Sequence, residues 1–194
     1  MNRKSAADKQ RVRSALGLGL LLLAVAFSIC CSRRPSPALP RRIDLTDVLR
    51  GRVVRIADGD TITLLDSLNA QHRIRLQGID APESHQDFGA QSKKSLSDMI
   101  FDKQVAAVCD KTDQYGRQVC KIMLDDKDIN LEQVKAGMAW HYKEYEREQS
   151  ADDRELYAHA EDEARRARRG LWVNANPVEP SEFRRTEKRE REAR

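Results

Sequence analysis

Charged and apolar side chains alternate over residues 73–76 (Arg-Ile-Arg-Leu), a pattern typical of a β-strand with one buried face. Upstream, two runs rich in Val, Ile and Thr, at 51–56 and 61–65, flank an Asp-Gly turn. β-Branched runs around such a turn predict a hairpin. The third strand is expected to end before Pro82, because proline cannot donate a ladder hydrogen bond.

Two further apolar runs, at 105–109 and 119–124, predict strands four and five. They flank a second turn containing glycine, at 113–117 (Asp-Gln-Tyr-Gly-Arg). The pattern therefore predicts five short strands, of which the last two form another hairpin.

After the third strand, apolar residues recur at the spacing of a helix. Ala90, Leu96 and Ile100 fall on one face of a helix predicted over 89–101. Two later segments are also predicted to be helical: 131–139 and the charge-dense segment 152–169, which Gly170 closes. Trp140 and Trp172 are expected to lie in the core.

This order of elements predicts an α+β fold. It is expected to be a five-stranded OB-type β-barrel with three appended helices, preceded by an N-terminal hydrophobic helix or leader. Barrels of this type often bind oligonucleotides across one face.

The N-terminal segment 1–34 is predicted to be a signal peptide or a membrane anchor. Residues 14–32 carry no charge, cations precede them, and Arg33-Arg34 follows. Length does not separate the two alternatives, because a spanning helix needs roughly 17–25 apolar residues. A buried core helix is the third alternative. Either targeting prediction puts the rest of the chain outside the cytoplasm, in the periplasm, in the envelope or secreted.

After the predicted leader, the amino-acid composition divides the chain into three segments. Residues 35–48 form a Pro-rich linker, 49–184 the folded domain, and 185–194 a charged tail, with 186–194 expected to be frayed or a solvated helix. No obligate protein partner is indicated, so a monomer is expected. The membrane is a potential partner only through the N-terminal apolar segment.

The net charge of +4 does not describe the folded part. Residues 1–26 contain five Lys or Arg and one Asp, so they account for the whole net positive charge. Residues 27–194 are therefore neutral overall. Attraction of phosphate to the folded domain must therefore come from locally placed cations.

Three carboxylates follow strand-like segments: Asp60, Asp80 and Glu83. Oxygen ligands of this kind suit a hard cation, and neighbouring arginines suit a phosphate ester. Arg73 and Arg75 both alternate with apolar residues, so the residues alone leave open which one would face a phosphate.

Several segments together resemble the staphylococcal-nuclease-like (thermonuclease) family. The resemblance covers roughly 51–184, with the matching segments in the family's order. They are 58–61 (Asp-Gly-Asp-Thr), Arg75, 80–83 (Asp-Ala-Pro-Glu), 113–117, 130–131 (Asn-Leu), 137–139 (Gly-Met-Ala) and 169–172 (Arg-Gly-Leu-Trp).

The resemblance implies calcium (Ca2+) as cofactor, held by Asp60, Asp80 and the carbonyl of residue 81. That residue is usually threonine, and Ala81 keeps the carbonyl but loses the hydroxyl. For catalysis, the family pattern implies that Glu83 activates water and that two arginines contact the scissile phosphate. The two arginines are Arg75, at the family's five-residue offset from Asp80, and Arg117. The substrate-facing tyrosines would be Tyr115 and Tyr145, with Tyr142 competing for the second role.

The expected function is therefore an extracytoplasmic, calcium-dependent endonuclease that hydrolyses DNA, with RNA as a second candidate substrate. The alternative is a non-catalytic OB module that binds nucleic acid or protein. Convergence of the five charged side chains on one cleft would favour the enzyme.

Cys109 and Cys120 flank the second predicted turn. In an oxidising compartment, a disulfide between two neighbouring strands is one alternative. The other is a pair of small buried hydrophobic residues. Both stay open, because strand register cannot be read from the sequence.

Overall fold

The computed structural model describes residues 48–194. The leader predicted at 1–34 and almost all of the linker predicted at 35–48 lie outside these residues. Within 48–194, no helix combines the length and the hydropathy that crossing a bilayer requires.

The described chain alternates strands with helices. In order, its elements are β1 (Val48–Ile56), β2 (Thr61–Asp66), β3 (Gln71–Leu76), β4 (Ile79–Asp80), α1 (Gly89–Ile100), β5 (Gln104–Thr112), β6 (Gln118–Leu124), β7 (Lys127–Asp128), α2 (Ile129–Lys135), β8 (Trp140–His141), a 3₁₀ helix (Lys143–Glu148), α3 (Ala151–Arg166), a second 3₁₀ helix (Gly170–Val173) and α4 (Pro180–Glu192).

Five strands close into a barrel. The antiparallel pairs run in the order β3-β2-β1-β5-β6, and β3 then pairs in parallel with β6. In the closing register Ile74 lies opposite Gln118 and Leu76 opposite Cys120. Closure leaves no free edge along these strands, as expected for an OB-type barrel.

Alternate positions of the strands fill the barrel with aliphatic side chains. The fully buried ones include Val53, Ile62, Leu64, Ile74, Leu76 and Ile122. Each such side chain contributes about 1.5–3 kcal/mol by leaving water. The turns between strands therefore project from a rigid body.

Helices cover one side of the barrel. α1 contributes buried Leu96 and Ile100 to the core. α2 begins where the carboxylate of Asp128 accepts a hydrogen bond from the main-chain N–H of Leu131, and Ser150 caps α3 in the same way. These caps fix where the two helices start.

Trp140 and Trp172 are buried, as predicted, and their rings meet edge to face with centroids 4.3 Å apart. The guanidinium of Arg165 lies 3.9 Å from the centroid of Trp172 and 4.8 Å from that of Trp140. This cation–π contact holds the second 3₁₀ helix against α3.

The closed barrel with appended helices confirms the α+β OB-type prediction. The structure has a fourth α-helix, α4, beyond the three predicted to be appended to the barrel; for 186–194 the sequence leaves open a frayed tail or a solvated helix. Helix α4 crosses the domain boundary predicted between 184 and 185. The sequence of α4 is rich in charge and has no apolar stripe, so a packed helix could not be predicted from it. In the structure, Pro180 is the only buried residue of α4.

Candidate active site

The turn between β1 and β2 fixes Asp60. The carbonyl of Asp60 accepts a hydrogen bond from the N–H of Leu76 at 2.8 Å, and its carboxylate accepts from the N–H of Ala81 at 2.7 Å and the hydroxyl of Thr61 at 3.0 Å. A Cβ on Gly59 would overlap the side chains of α1 and of Ala81, so this close approach requires glycine. The Asp60 side chain is 8% exposed.

The pairing of β4 with β8 fixes Asp80. Asp80 lies opposite Trp140, and Ile79 lies opposite His141. The Asp80 side chain is 3% exposed. A two-residue ladder thus ties this carboxylate to the segment that precedes the first 3₁₀ helix.

Arg75 on β3 bridges the two aspartates. Its Nη2 donates to Asp80 Oδ1 at 2.8 Å, and its Nη1 lies 2.6 Å from Asp60 Oδ2. The latter contact is a buried ion pair without hydrogen-bond alignment. Arg73, the alternative that the sequence left open, is exposed at the rim of the same cleft.

Charge is concentrated around Asp60. Burial raises the pKa of its carboxyl from 3.8 to about 7; Arg75 opposes this effect, and the charges of Asp58 and Asp80 reinforce it. The charges of Asp60 and Asp80 raise the pKa of Arg75, although burial opposes them. Three carboxylates thus lie near Arg75, and the charge of Arg184 reaches the same cluster.

Glu83 is the most accessible of the three predicted carboxylates, with a side chain 30% exposed. The N–H of Glu83 donates to Gln86 Oε1 at 3.2 Å, and the N–H of Gln86 donates to the Glu83 carbonyl at 2.9 Å. These bonds form a tight turn before α1, and the turn presents the Glu83 side chain to the cleft.

Arg184 from α4 contacts two of these carboxylates. Its Nη1 donates to Glu83 Oε1 at 2.9 Å and to Asp80 Oδ1 at 3.1 Å, and its Nη2 donates to Asp80 Oδ2 at 2.9 Å. Burial opposes a rise in the pKa of Arg184, but its bonds to Asp80 and Glu83 raise it well above the ordinary value. Sequence reasoning missed this residue. It lies 101 positions from Glu83 in a run of alternating charges, and no local signal could have found it.

The β5–β6 turn presents Arg117. The carboxylate of Asp113 accepts from the N–H groups of Tyr115 and Arg117, both at 2.9 Å, and from Arg117 Nε at 2.8 Å. Partial burial opposes the effect, but these donors hold the pKa of Asp113 below its usual value of 3.8. The turn therefore fixes one side of the guanidinium.

Three tyrosines lie on the walls of the cleft. Tyr115 is 68% exposed beside Arg117. Tyr142 and Tyr145 meet edge to face, with centroids 4.9 Å apart, and Lys111 Nζ lies 5.4 Å from the centroid of Tyr145. Tyr142 and Tyr145, the two candidates for the second substrate-facing tyrosine, thus form one aromatic pair. Aromatic rings beside cations suit the stacking of nucleobases.

The predicted residues converge on one cleft of about 880 Å³. Those that line it are Asp60, Arg75, Ala81, Glu83, Tyr115, Arg117 and Tyr145. Asp80 does not line the cleft but bonds to Arg75 and Arg184, which do. An endonuclease requires this convergence, whereas a non-catalytic binding module does not.

Cys109 on β5 and Cys120 on β6 lie directly opposite each other and form a disulfide in the structure. They lie on the strands that carry the Arg117 turn rather than on the cleft wall.

The donor set around the cleft fits a hard cation such as calcium. It offers two converging carboxylates and a main-chain carbonyl at Ala81, all oxygen. Within 48–194, no cluster of three or more His, Cys, Asp or Glu side chains is arranged as a metal site. The guanidinium of Arg184 bridges Asp80 and Glu83, where a cation would be expected to bind.

Comparison with known proteins identifies the family. Residues 73–174 match the family model described as "Staphylococcal nuclease homologue". An "Uncharacterized endonuclease" of Haemophilus influenzae is 44% identical over 176 residues, which cover 91% of this chain and 88% of that protein. A "Micrococcal nuclease" of Shigella flexneri is 40% identical over 149 residues, covering 72% and 82%.

The family match spans more than half of the chain, and the Haemophilus relative aligns over nearly the full length of both proteins. The names of these relatives favour an enzyme over a non-catalytic binding module. This chain belongs to the staphylococcal nuclease family and is a phosphodiester-hydrolysing endonuclease.

Proposed function

We propose that the endonuclease depends on calcium and that Glu83, Arg75 and Arg117 carry the hydrolysis. The observation that carries this proposal is the convergence of these three residues and Asp60 on one cleft, with Asp80 bonded beneath it.

Glu83 is the proposed general base. Water is a poor nucleophile at neutral pH, and a carboxylate within hydrogen-bond reach can take its proton as the attack develops. The partial exposure of Glu83 supports this role, because a fully buried carboxylate could not receive water from the cleft.

Arg75 and Arg117 are proposed to neutralise the charge that accumulates on the phosphate oxygens. A planar guanidinium can donate to two oxygens at once, whereas an ammonium is a point charge. One preorganised donor of this kind is typically worth about 3 kcal/mol of the barrier. The bond that Arg117 donates to Asp113, and the contacts of Arg75 with Asp60 and Asp80, hold both guanidinium groups in place and support preorganised donors.

Asp60, Asp80 and the carbonyl of Ala81 are the proposed calcium ligands. When bound, calcium would supply positive charge to a phosphate oxygen. Asp60 and Asp80 are prepared for a cation, because burial holds two negative groups together at a cost in free energy that a positive charge offsets.

DNA and RNA are both proposed substrates. The proposed chemistry acts on the phosphate backbone, which carries no base sequence information. Tyr115, Tyr142 and Tyr145 would stack on bases of either nucleic acid without selecting a sequence.

The test is cleavage of single- and double-stranded DNA and RNA by the full chain, with calcium or with a calcium chelator. We expect cleavage with calcium and none with chelator. Full cleavage in chelator would contradict the calcium proposal and leave the enzyme class standing.

We also propose that the domain acts outside the cytoplasm. The support is the sequence of 1–34, a basic start followed by an uncharged apolar run. A reporter that is active only outside the cytoplasm, fused after Pro40, is expected to be active. A second reporter, one that is active only in the cytoplasm, is expected to be inactive when fused at the same point. Activity of this second reporter would contradict export.

A further inference from the structure

Arg184 and Arg75 together occupy both oxygens of Asp80. Oδ2 of Asp80 accepts from Arg184 Nη2, and Oδ1 accepts from both Arg184 Nη1 and Arg75 Nη2. Both carboxylate oxygens therefore already have cationic partners. A metal ion cannot take the same lone pairs while Arg184 remains in place.

The same guanidinium holds the proposed base. Arg184 Nη1 lies 2.9 Å from Glu83 Oε1. A carboxylate oxygen that accepts a bond from a guanidinium is not free to accept a proton from water with the same lone pair. One side chain thus covers a metal ligand and the base together.

Helix α4 delivers Arg184 through contacts with the turn that bears Glu83. The rings of Phe183 and His85 are 5.2 Å apart, and His85 Nε2 lies 2.7 Å from Glu187 Oε1. Gln86 Nε2 donates to the carbonyl of Val178 at 2.7 Å. These contacts hold α4 and the segment before it against the turn, and Arg184 itself lines the cleft.

The docking of α4 is shallow. Its only buried residue is Pro180, and the Arg184 side chain is 39% exposed. Elements with little buried apolar surface open at low free-energy cost. The contacts above place Arg184, and little of α4 would have to leave a buried position to release it.

We propose that Arg184 is a built-in cation that competes with the metal ion, so that α4 latches the site closed until metal displaces it. This rests on the proposed calcium site at Asp60 and Asp80. The latch neutralises the carboxylates when no metal is bound, and its release exposes Asp80 and Glu83 together.

Thermodynamic linkage fixes two consequences. The docked helix lowers the apparent affinity for calcium, and calcium in turn loosens the helix by the same factor. If α4 is docked in about 90% of metal-free molecules, the apparent Kd for calcium is about tenfold weaker than that of the open form.

The experiment is isothermal titration of the metal-free full chain with calcium, comparing wild type, Arg184→Gln and Arg185→Gln. Arg185 is exposed on the same helix, so its replacement removes the same charge without removing the contact. We expect Arg184→Gln to bind calcium about tenfold more tightly, and Arg185→Gln to stay within about twofold of wild type. Far-UV circular dichroism checks that each variant is folded.

A second readout follows α4 itself. Amide hydrogen exchange over 180–192 is expected to speed up when calcium is added to wild type, and to be fast already in metal-free Arg184→Gln. Exchange in wild type that calcium leaves unchanged would overturn the release of α4.

The outcomes separate the latch from the proposed function. If wild type binds calcium and Arg184→Gln binds it equally or less tightly, the latch is wrong and the calcium site stands. If no variant binds calcium, the calcium proposal fails and the latch fails with it.

Discussion

At the scale of single residues, the carboxylates of the cleft differ in what holds them. Asp60 and Asp80 are nearly buried, whereas Glu83 is partly exposed, and Arg184 bonds to the side chains of both Asp80 and Glu83. A buried, fixed carboxylate suits a metal ligand, and an accessible one suits proton transfer to and from water. This difference supports separate roles for groups of the same chemistry.

Replacing Glu83 by Gln is expected to lower turnover by about 10²–10⁴-fold, because an amide of the same shape cannot take a proton from water. The far-UV circular dichroism spectrum should change little. Glu155→Gln, an exposed change on α3, is the matched control and should keep its activity. Near-normal turnover in Glu83→Gln would remove it as the base.

Replacing Arg117 by Lys is expected to lower kcat by about 10²-fold or more, the loss typical of removing one preorganised donor. Lysine keeps the charge but cannot donate to two phosphate oxygens from a planar fork. The measurement is single-turnover cleavage, with Arg55→Lys, an exposed change on β1, as control. Equal rates in the two variants would mean that charge alone matters at 117.

At the scale of elements, the β5–β6 hairpin combines stability and chemistry. Its strands pair in register with Cys109 opposite Cys120, and its turn holds Arg117 through Asp113. Anything that loosens the hairpin should therefore affect both unfolding and cleavage.

The first element-scale prediction concerns Asp113→Asn. The pKa of Asp113 in the folded protein lies below 3.8, its ordinary value. The charged carboxylate therefore stabilises the fold above about pH 4. This stabilisation is lost as the pH falls through the folded-state pKa. The difference in unfolding free energy between wild type and variant should thus be full at neutral pH and disappear in acid. Chemical denaturation at several pH values measures it, and a difference independent of pH would contradict the assignment.

The second concerns the disulfide. Changing Cys109 and Cys120 together to Ser should lower the unfolding free energy by about 3 kcal/mol, because a short loop is no longer closed in the unfolded chain. Cleavage should also slow, since Arg117 is held less rigidly. Thermal denaturation of the variant and mass spectrometry of the non-reduced wild type are the measurements. Free thiols or an unchanged Tm would return both cysteines to the role of core residues.

At the scale of the whole molecule, strand pairing closes the barrel and aliphatic side chains fill it. Its core side chains come from all five strands, and the parallel β3–β6 pairing completes the ring. The cleft is built on the turns and ends of these strands. Fold and activity should therefore respond differently to metal removal.

We expect a chelator to abolish cleavage and leave the far-UV circular dichroism spectrum unchanged. Adding calcium at a hundredfold excess over its Kd should raise the unfolding free energy by about 2.7 kcal/mol, as for any ligand that binds only the folded state. Differential scanning calorimetry with and without calcium measures this. Global unfolding at room temperature on chelation would show instead that the metal is part of the fold.

Much of this molecule could be predicted from local sequence. The β-branched runs around the first turn, the alternation at 73–76 and the apolar runs on either side of 113–117 located all five barrel strands to within a few residues. The order and spacing of the short motifs indicated the family and the set of carboxylates and arginines expected at its site. These features are local because strand periodicity and turn chemistry depend on neighbouring residues.

Tertiary structure decided the rest. The register that sets Cys109 opposite Cys120 and the β3–β6 closure depend on pairings between distant strands. The burial that raises the pKa of Asp60 comes from packing around it. Arg184 meets Glu83 across 101 positions of sequence, through a helix with no apolar stripe. The sequence by itself determined which chemical groups the site could use, because residue types and local periodicity are written in it. Only the fold decided which of those groups touch, because contacts between distant segments follow from the packing of the whole chain.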